Sequence, residues 1–226
     1  MEGMVAGTNL VINLMVAHLI ASIAAVELRG LRRATVALAV QSLLLTAIFA
    51  VFAYLTRAPV LYWWAGGTLL TKVIIIPAGL WYFAARLPQR EVRPMLGFWA
   101  SIALVSIIVV VFYQFFHAYV GFVAPSPSAM VEPARSSLAL AFTVFVLGLY
   151  VLMVRRDGVK IVIGLVLMEN GVHLSLLSLA PTLPETTVMG ISTNIVVVAF
   201  ALLYLTGGIY RALGTTDTLE LSQLKR

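Results

Sequence analysis

The chain has 226 residues, 62% of them hydrophobic and 11% charged, with no cysteine and a formal net charge of +6. A soluble domain carries about a quarter charged residues and about half apolar ones, so a mean hydropathy of +1.03 excludes a water-soluble globular enzyme. The missing cysteine excludes disulfides, thiolate metal sites, cysteine-ligated iron–sulfur clusters and a cysteine nucleophile.

Crossing a bilayer takes about 20 residues of helix, and seven apolar stretches are long enough. They lie near Asn9–Val26, Ala34–Leu55, Val60–Ala85, Leu96–Tyr119, Ser137–Val154, Ile161–Ala180 and Val188–Tyr204. None alternates in polarity as a membrane β-strand does. The predicted fold is therefore an all-α, polytopic membrane protein of about seven transmembrane helices. The first stretch is read as a retained helix and not a cleaved leader. Its start, MEGMVAGTN, has no basic residue, and Arg29, Arg32 and Arg33 follow the apolar run.

The remaining charge sorts by side. Arg29, Arg32, Arg33, Arg86, Arg90, Arg93, Arg155, Arg156, Lys160, Arg211, Lys225 and Arg226 fall on one side, and Arg57 and Arg135 on the other. Positive charge favours the cytoplasm, so the N-terminus is expected outside and the C-terminus in the cytoplasm. The basic pI then reflects topology and not a nucleic-acid partner.

Between spans four and five, VAPSPSAMVEPARSS carries Pro125, Pro127 and Pro133, which favour an extended loop over helix. The expected organisation is a four-helix part (1–120), an outer connector (121–136), a three-helix part (137–210) and a cytoplasmic tail (211–226). A single seven-helix bundle with a long loop is the alternative.

One basic residue lies within a span. Lys72 is twelve residues past Val60, so at about 1.5 Å per residue it sits roughly 18 Å along its helix. A lysine at a helix centre costs about 2.5–3.5 kcal/mol to insert, so it is expected to face the bundle and a polar partner. Pro77, five residues on, removes a backbone donor and loosens the helix locally. Glu169 is the one acid inside a span, with His173 one turn later on the same face and Asn170 bordering it. A carboxylate, an imidazole and an ammonium placed this way form a candidate proton path. His18, Gln41 and Asn194 are further polar groups within spans. His18 suits a structural hydrogen bond, and Gln41, nearer the cytoplasmic end, and Asn194 suit helix–helix contacts.

Other features are structural. Tyr62, Trp63, Trp64, Trp81 and Tyr82 bracket the third span as interfacial aromatics, and His117 lies near an outer helix end. Gly66–Gly67 and Gly207–Gly208 lack the strand–turn–helix context of a phosphate loop. With no nucleophile triad and no metal-ligand spacing, neither independent catalysis, a metal nor a cofactor is expected.

Several segments carry a family resemblance: AVQSLLLTAIFA ending at Ala50, LLTKVIIIPAGLWYFAARLP (Leu69–Pro88), GLVLMENGVHL (Gly164–Leu174), ISTNIVVVAFALL (Ile191–Leu203) and the terminal GTTDTLELSQLK. Together they resemble hydrogenase-4 component E, in order and over almost the whole chain. That family supplies a membrane-arm subunit of nickel–iron hydrogenase complexes, including formate hydrogenlyase-type assemblies, related to respiratory complex I. Its three C-terminal helices are similar to complex I subunit K and to the C subunit of multisubunit cation/proton antiporters. Subunit K has GLEIMIN, with its acid where this chain has Val166; here the acid comes three residues later, at Glu169, about one turn away near the same face. Component E proteins can carry aspartate at the position of Asn194, and asparagine cannot change charge.

The resemblance implies a non-catalytic, multi-pass subunit of the inner membrane that helps move protons or ions. Its expected partners are antiporter-like chains, chains similar to the H subunit of complex I and, through them, a hydrophilic arm bearing nickel–iron and iron–sulfur centres. Glu169, His173, Lys72, Asn170, Asn194 and His18 form the expected path. The alternatives are a structural subunit of that arm, its buried charges fixed as ion pairs, or a subunit of a cation/proton antiporter.

Overall fold

In a bilayer no water competes for backbone hydrogen bonds, so apolar segments of this length close their own ladders as helices. The structure, a computed structural model, describes residues 2–86, 95–125, 127–180 and 183–218. Within these, seven helices are long and apolar enough to span a membrane. They are α1 (Glu2–Glu27), α2 (Leu31–Thr56), α3 (Val60–Arg86), α4 (Phe98–Ala118), α5 (Ala134–Val154), α6 (Gly158–Leu179) and α7 (Glu185–Leu213). The protein is an all-helical, multi-pass membrane protein. Of the basic residues assigned to the cytoplasmic side, Arg90, Arg93, Lys225 and Arg226 lie outside the described residues.

Three expectations change. The last helix runs on to Leu213 instead of ending near Tyr204, because Gly207 and Gly208 keep their helical hydrogen bonds in an apolar setting. It stops at Gly214, whose left-handed φ of 71° lets its N–H donate to the Tyr210 carbonyl at 2.8 Å. Next, the connector is not simply extended. It forms a short helix at Val120–Val123 and a 3-10 turn at Pro127–Met130, and α5 begins at Ala134 within the expected loop. Val120, Ala124, Ala129 and Leu138 bury themselves together there, with Phe142 packed against them. Finally, Trp64 is not interfacial. It is 1% exposed and meets Phe49 edge-on, whereas Tyr62, Trp63, Trp81 and Tyr82 are exposed.

The closest helix pairing is α5 with α6, and glycine explains it. A Cβ on Gly148 would lie 2.6 Å from the Gly164 carbonyl, and one on Gly171 would lie 2.6 Å from the Ala141 carbonyl. Small residues let backbones approach where the lipid supplies no hydrophobic drive. By contrast α4 is peripheral and buries only Ser101 and Val105. Ser101 anchors it, donating to Glu27 at 2.7 Å and sharing a 2.7 Å bond with Tyr150.

The end bearing the arginines is tied together by charge. Arg155 pairs with Glu27 at 3.2 Å, and Lys160 donates to the Ala25, Val26 and Leu28 carbonyls. A cation there satisfies carbonyls left open at the end of α1. Asp157 caps α6 through the Val159 and Lys160 amides and also accepts from Thr216 at 2.7 Å, which pins the chain after α7 to the α5–α6 turn. At the opposite end Arg135 donates twice to the His117 carbonyl, and His117 Nε2 lies 3.1 Å from Glu132. Partial burial works to raise the Glu132 carboxyl, but hydrogen bonds from Ser136 and His117 outweigh it and hold the group below its usual value.

Two apolar clusters fill the bundle, each drawing on residues from both halves of the chain. One contains Leu38, Ile76, Leu147, Leu167 and Ile195; the other contains Met15, Leu45, Ala65, Val144, Leu174 and Val188. Along each helix that contributes to both clusters except α5, buried polar residues come between them. These are His18 and Ser22 on α1, Gln41 and Ser42 on α2, Thr68 and Lys72 on α3, Asn170 and His173 on α6, and Ser192 on α7. The core is thus divided by a polar layer near its middle.

Candidate functional site

A mid-span lysine must reach inward, and the local shape of α3 allows it. Residues Leu69–Ile75 form a π-helix, with the Ile76 N–H donating to the Thr71 carbonyl. Pro77 has no N–H, and its ring would collide with the carbonyl four residues back in a continuous α-helix. A wider turn just before it relieves that collision. Turns of this kind concentrate at functional sites, and this one carries Lys72, which is 0% exposed.

Lys72 Nζ contacts the Glu169 carboxylate directly and lies 2.5 Å from His173 Nδ1. The other Glu169 oxygen is 2.7 Å from His173 Nδ1, one turn along α6. Glu169 is 12% exposed, and His173 is fully buried. The three groups form a closed triangle between α3 and α6. A proton on the ammonium or on Nδ1 of the imidazole is therefore within one hydrogen bond of the carboxylate.

A second set of bonds starts at the next residue of α6. Asn170 donates through Nδ2 to Gln41 Oε1 at 2.6 Å and to Ser42 Oγ at 3.2 Å. Gln41 Nε2 donates to His18 Nε2 at 3.0 Å, and His18 Nδ1 donates to the Gln41 backbone carbonyl at 3.0 Å. With the amides placed this way, His18 is a neutral imidazole protonated at Nδ1. The chain of bonds crosses from α6 through α2 to α1, all of it buried. Thr68 Oγ1 and Asn170 Oδ1 are buried without a partner.

Five of the six expected residues thus lie in one layer: Lys72, Glu169 and His173 in contact, and Asn170 and His18 joined through Gln41. Gln41 belongs to that layer itself. Asn170 directs its amide to α2 instead of sharing the lysine-facing side with His173. Asn194 stands apart on the exposed face of α7 and has no bond to either group. Ser42, Thr68 and the π turn were not anticipated. Pro77 was a signal for the turn, but single hydroxyls in apolar helices carry none.

Residues 136–226 match the family described as NADH-ubiquinone/plastoquinone oxidoreductase chain 4L. That stretch contains Glu169, Asn170 and His173, whereas Lys72, His18 and Gln41 precede it. The chain is also 31% identical to hydrogenase-4 component E of Escherichia coli K12, over 97% of its own length and 99% of that protein. The same figures hold for hydrogenase-4 component E of E. coli O157:H7 and of Shigella flexneri. No solved structure matches significantly. With this identity sustained over nearly its whole length, the chain belongs to the hydrogenase-4 component E family.

Proposed function

We propose that this protein is a non-catalytic membrane-arm subunit of a complex I-like hydrogenase in the inner membrane, and that it helps carry protons coupled to redox chemistry in its partners. The observation that carries this reading is the triangle of Lys72, Glu169 and His173, set where the bilayer resists charge. Glu169 is the carrier. It accepts a proton from His173 or Lys72 and returns it when the neighbouring charges rearrange. The Asn170–Gln41–His18 chain extends the polar layer toward α1. Unpartnered Thr68 Oγ1 and Asn170 Oδ1 are groups on which ordered water would bridge the two sets. The hydrophilic arm that performs hydrogen chemistry supplies the nickel–iron and iron–sulfur centres. Antiporter-like chains and a chain similar to the H subunit of complex I flank this one. Asn194, polar and exposed within a span, suits a face covered by such a chain better than one covered by lipid.

The test is Glu169→Gln in the assembled complex. Leaving Lys72 unpaired lowers the yield, but in the complex that does assemble hydrogen turnover in detergent is expected to persist, while proton translocation per hydrogen in sealed vesicles falls severalfold. Undiminished translocation per hydrogen in that assembled complex would sink the relay.

The close pairing of Lys72 with Glu169 also fits a structural role, in which the charges fix one helix arrangement. On that reading Glu169→Gln lowers the yield of intact complex, and whatever complex forms is fully coupled.

A further inference from the structure

α3 and α7 both end in arginine-bearing turns at the same end of the bundle, and a cleft of about 540 Å³ opens between them. We propose that this cleft binds the headgroup of an anionic phospholipid, with Arg86 and Arg211 holding the phosphodiester. The argument starts from charge. Both guanidiniums are exposed, and neither has an acidic or hydrogen-bonding partner among the described residues. Arg86 instead sits over the Tyr82 ring, its Cζ 3.8 Å from the ring centroid, a cation–π contact that holds the guanidinium and uses none of its N–H donors. Planar guanidiniums bind phosphate oxygens in pairs, so two beside one cleft match one phosphodiester.

The shape of the cleft agrees. A Cβ on Gly207 would lie 3.3 Å from Phe83, so this glycine lets the α3 ring pack closely. A Cβ on Gly208 would meet nothing within 4 Å, so this glycine leaves the floor of the cleft open. Two adjacent residues without side chains thus both join the helices and make room between them.

The surroundings favour a lipid over free phosphate or an acidic peptide. Leu205 lines the cleft, and Val197 and Phe200, up to two turns further back along α7, are exposed apolar residues beside which acyl chains would lie. Tyr82 and Tyr204 stand exposed at its edge, as tyrosines do at the headgroup level. Basic pockets between transmembrane helices are a recurring form of anionic-lipid site.

The test is native mass spectrometry of the full chain, delipidated and then supplied with phosphatidylglycerol, phosphatidylethanolamine or inorganic phosphate. Phosphatidylglycerol is expected to be retained severalfold better than phosphatidylethanolamine. Arg86→Gln with Arg211→Gln should abolish that preference, and Arg29→Gln with Arg32→Gln should keep it. Equal retention of the two lipids, or equal loss in both double variants, overturns the site. Displacement of the lipid by millimolar phosphate also overturns it, in favour of a free-phosphate pocket. Gly208→Leu, which fills the open floor while keeping both arginines, should lower retention; unchanged retention would count against the cleft. In the assembled complex, a photo-crosslinker at Leu205 should label lipid, and labelling of a partner chain instead would overturn the proposal.

Discussion

Charge buried at the middle of a span persists only where it is paired, and Lys72 shows how completely. Its ammonium meets Glu169 and His173 and is shut off from the surface. Removing one member of a buried ion pair typically costs about 3–5 kcal/mol, because the other charge is left unpaired. Lys72→Met is therefore expected to lower the melting temperature of the purified protein markedly. Lys72→Met with Glu169→Gln should recover most of the loss, since no lone charge remains. Independent, additive effects of the two substitutions would show that they do not share one interaction. The sequence marked Lys72 and Glu169 because their depth can be counted along a helix. It could not show that they touch, because they lie 97 positions apart and no spacing rule connects α3 to α6. His18 and Gln41 were legible only as polar groups in spans; their mutual bonds depend on how α1 faces α2.

Among the elements, α5 and α6 approach most closely because glycine leaves no side chain between their backbones. A side chain at Gly171 would run into the Ala141 carbonyl and the Phe145 amide. Gly171→Leu should push the helices apart, with an overpacking cost of about 1–3 kcal/mol or more. Gly190→Leu, where a Cβ meets nothing within 4 Å, should be neutral. Thermal unfolding in detergent checks both, and equal effects would remove the steric account. The spans themselves were legible from hydropathy, as with α2 and α6. Their ends were less so: α7 outran its predicted limit because glycine breaks helices far less where no water competes for the backbone. The π turn in α3 follows from Pro77, but only its position relative to Lys72 gives it consequence.

For the molecule as a whole, the ends of several helices are joined at one face through a few polar residues. Asp157 caps α6 and accepts from Thr216, and the Thr218 amide donates to the Arg156 carbonyl at 3.0 Å. Asp157→Ala removes a helix cap, a loss of about 1 kcal/mol, and frees the chain after α7. Faster amide hydrogen exchange at Val159, Lys160 and Thr218 is the expected result; unchanged exchange at Thr218 would mean that the pin does not depend on Asp157. By itself the sequence determined the number of spans, the all-helical class and the two residues whose charge defies the bilayer, because hydropathy and depth are properties of one segment at a time. Tertiary structure alone decided that Lys72, Glu169 and His173 meet, that a polar layer divides the core, and that Asn194 faces outward. Those outcomes depend on which faces of separate helices pack together, and in helices apolar on nearly every side no sequence period announces the packed face.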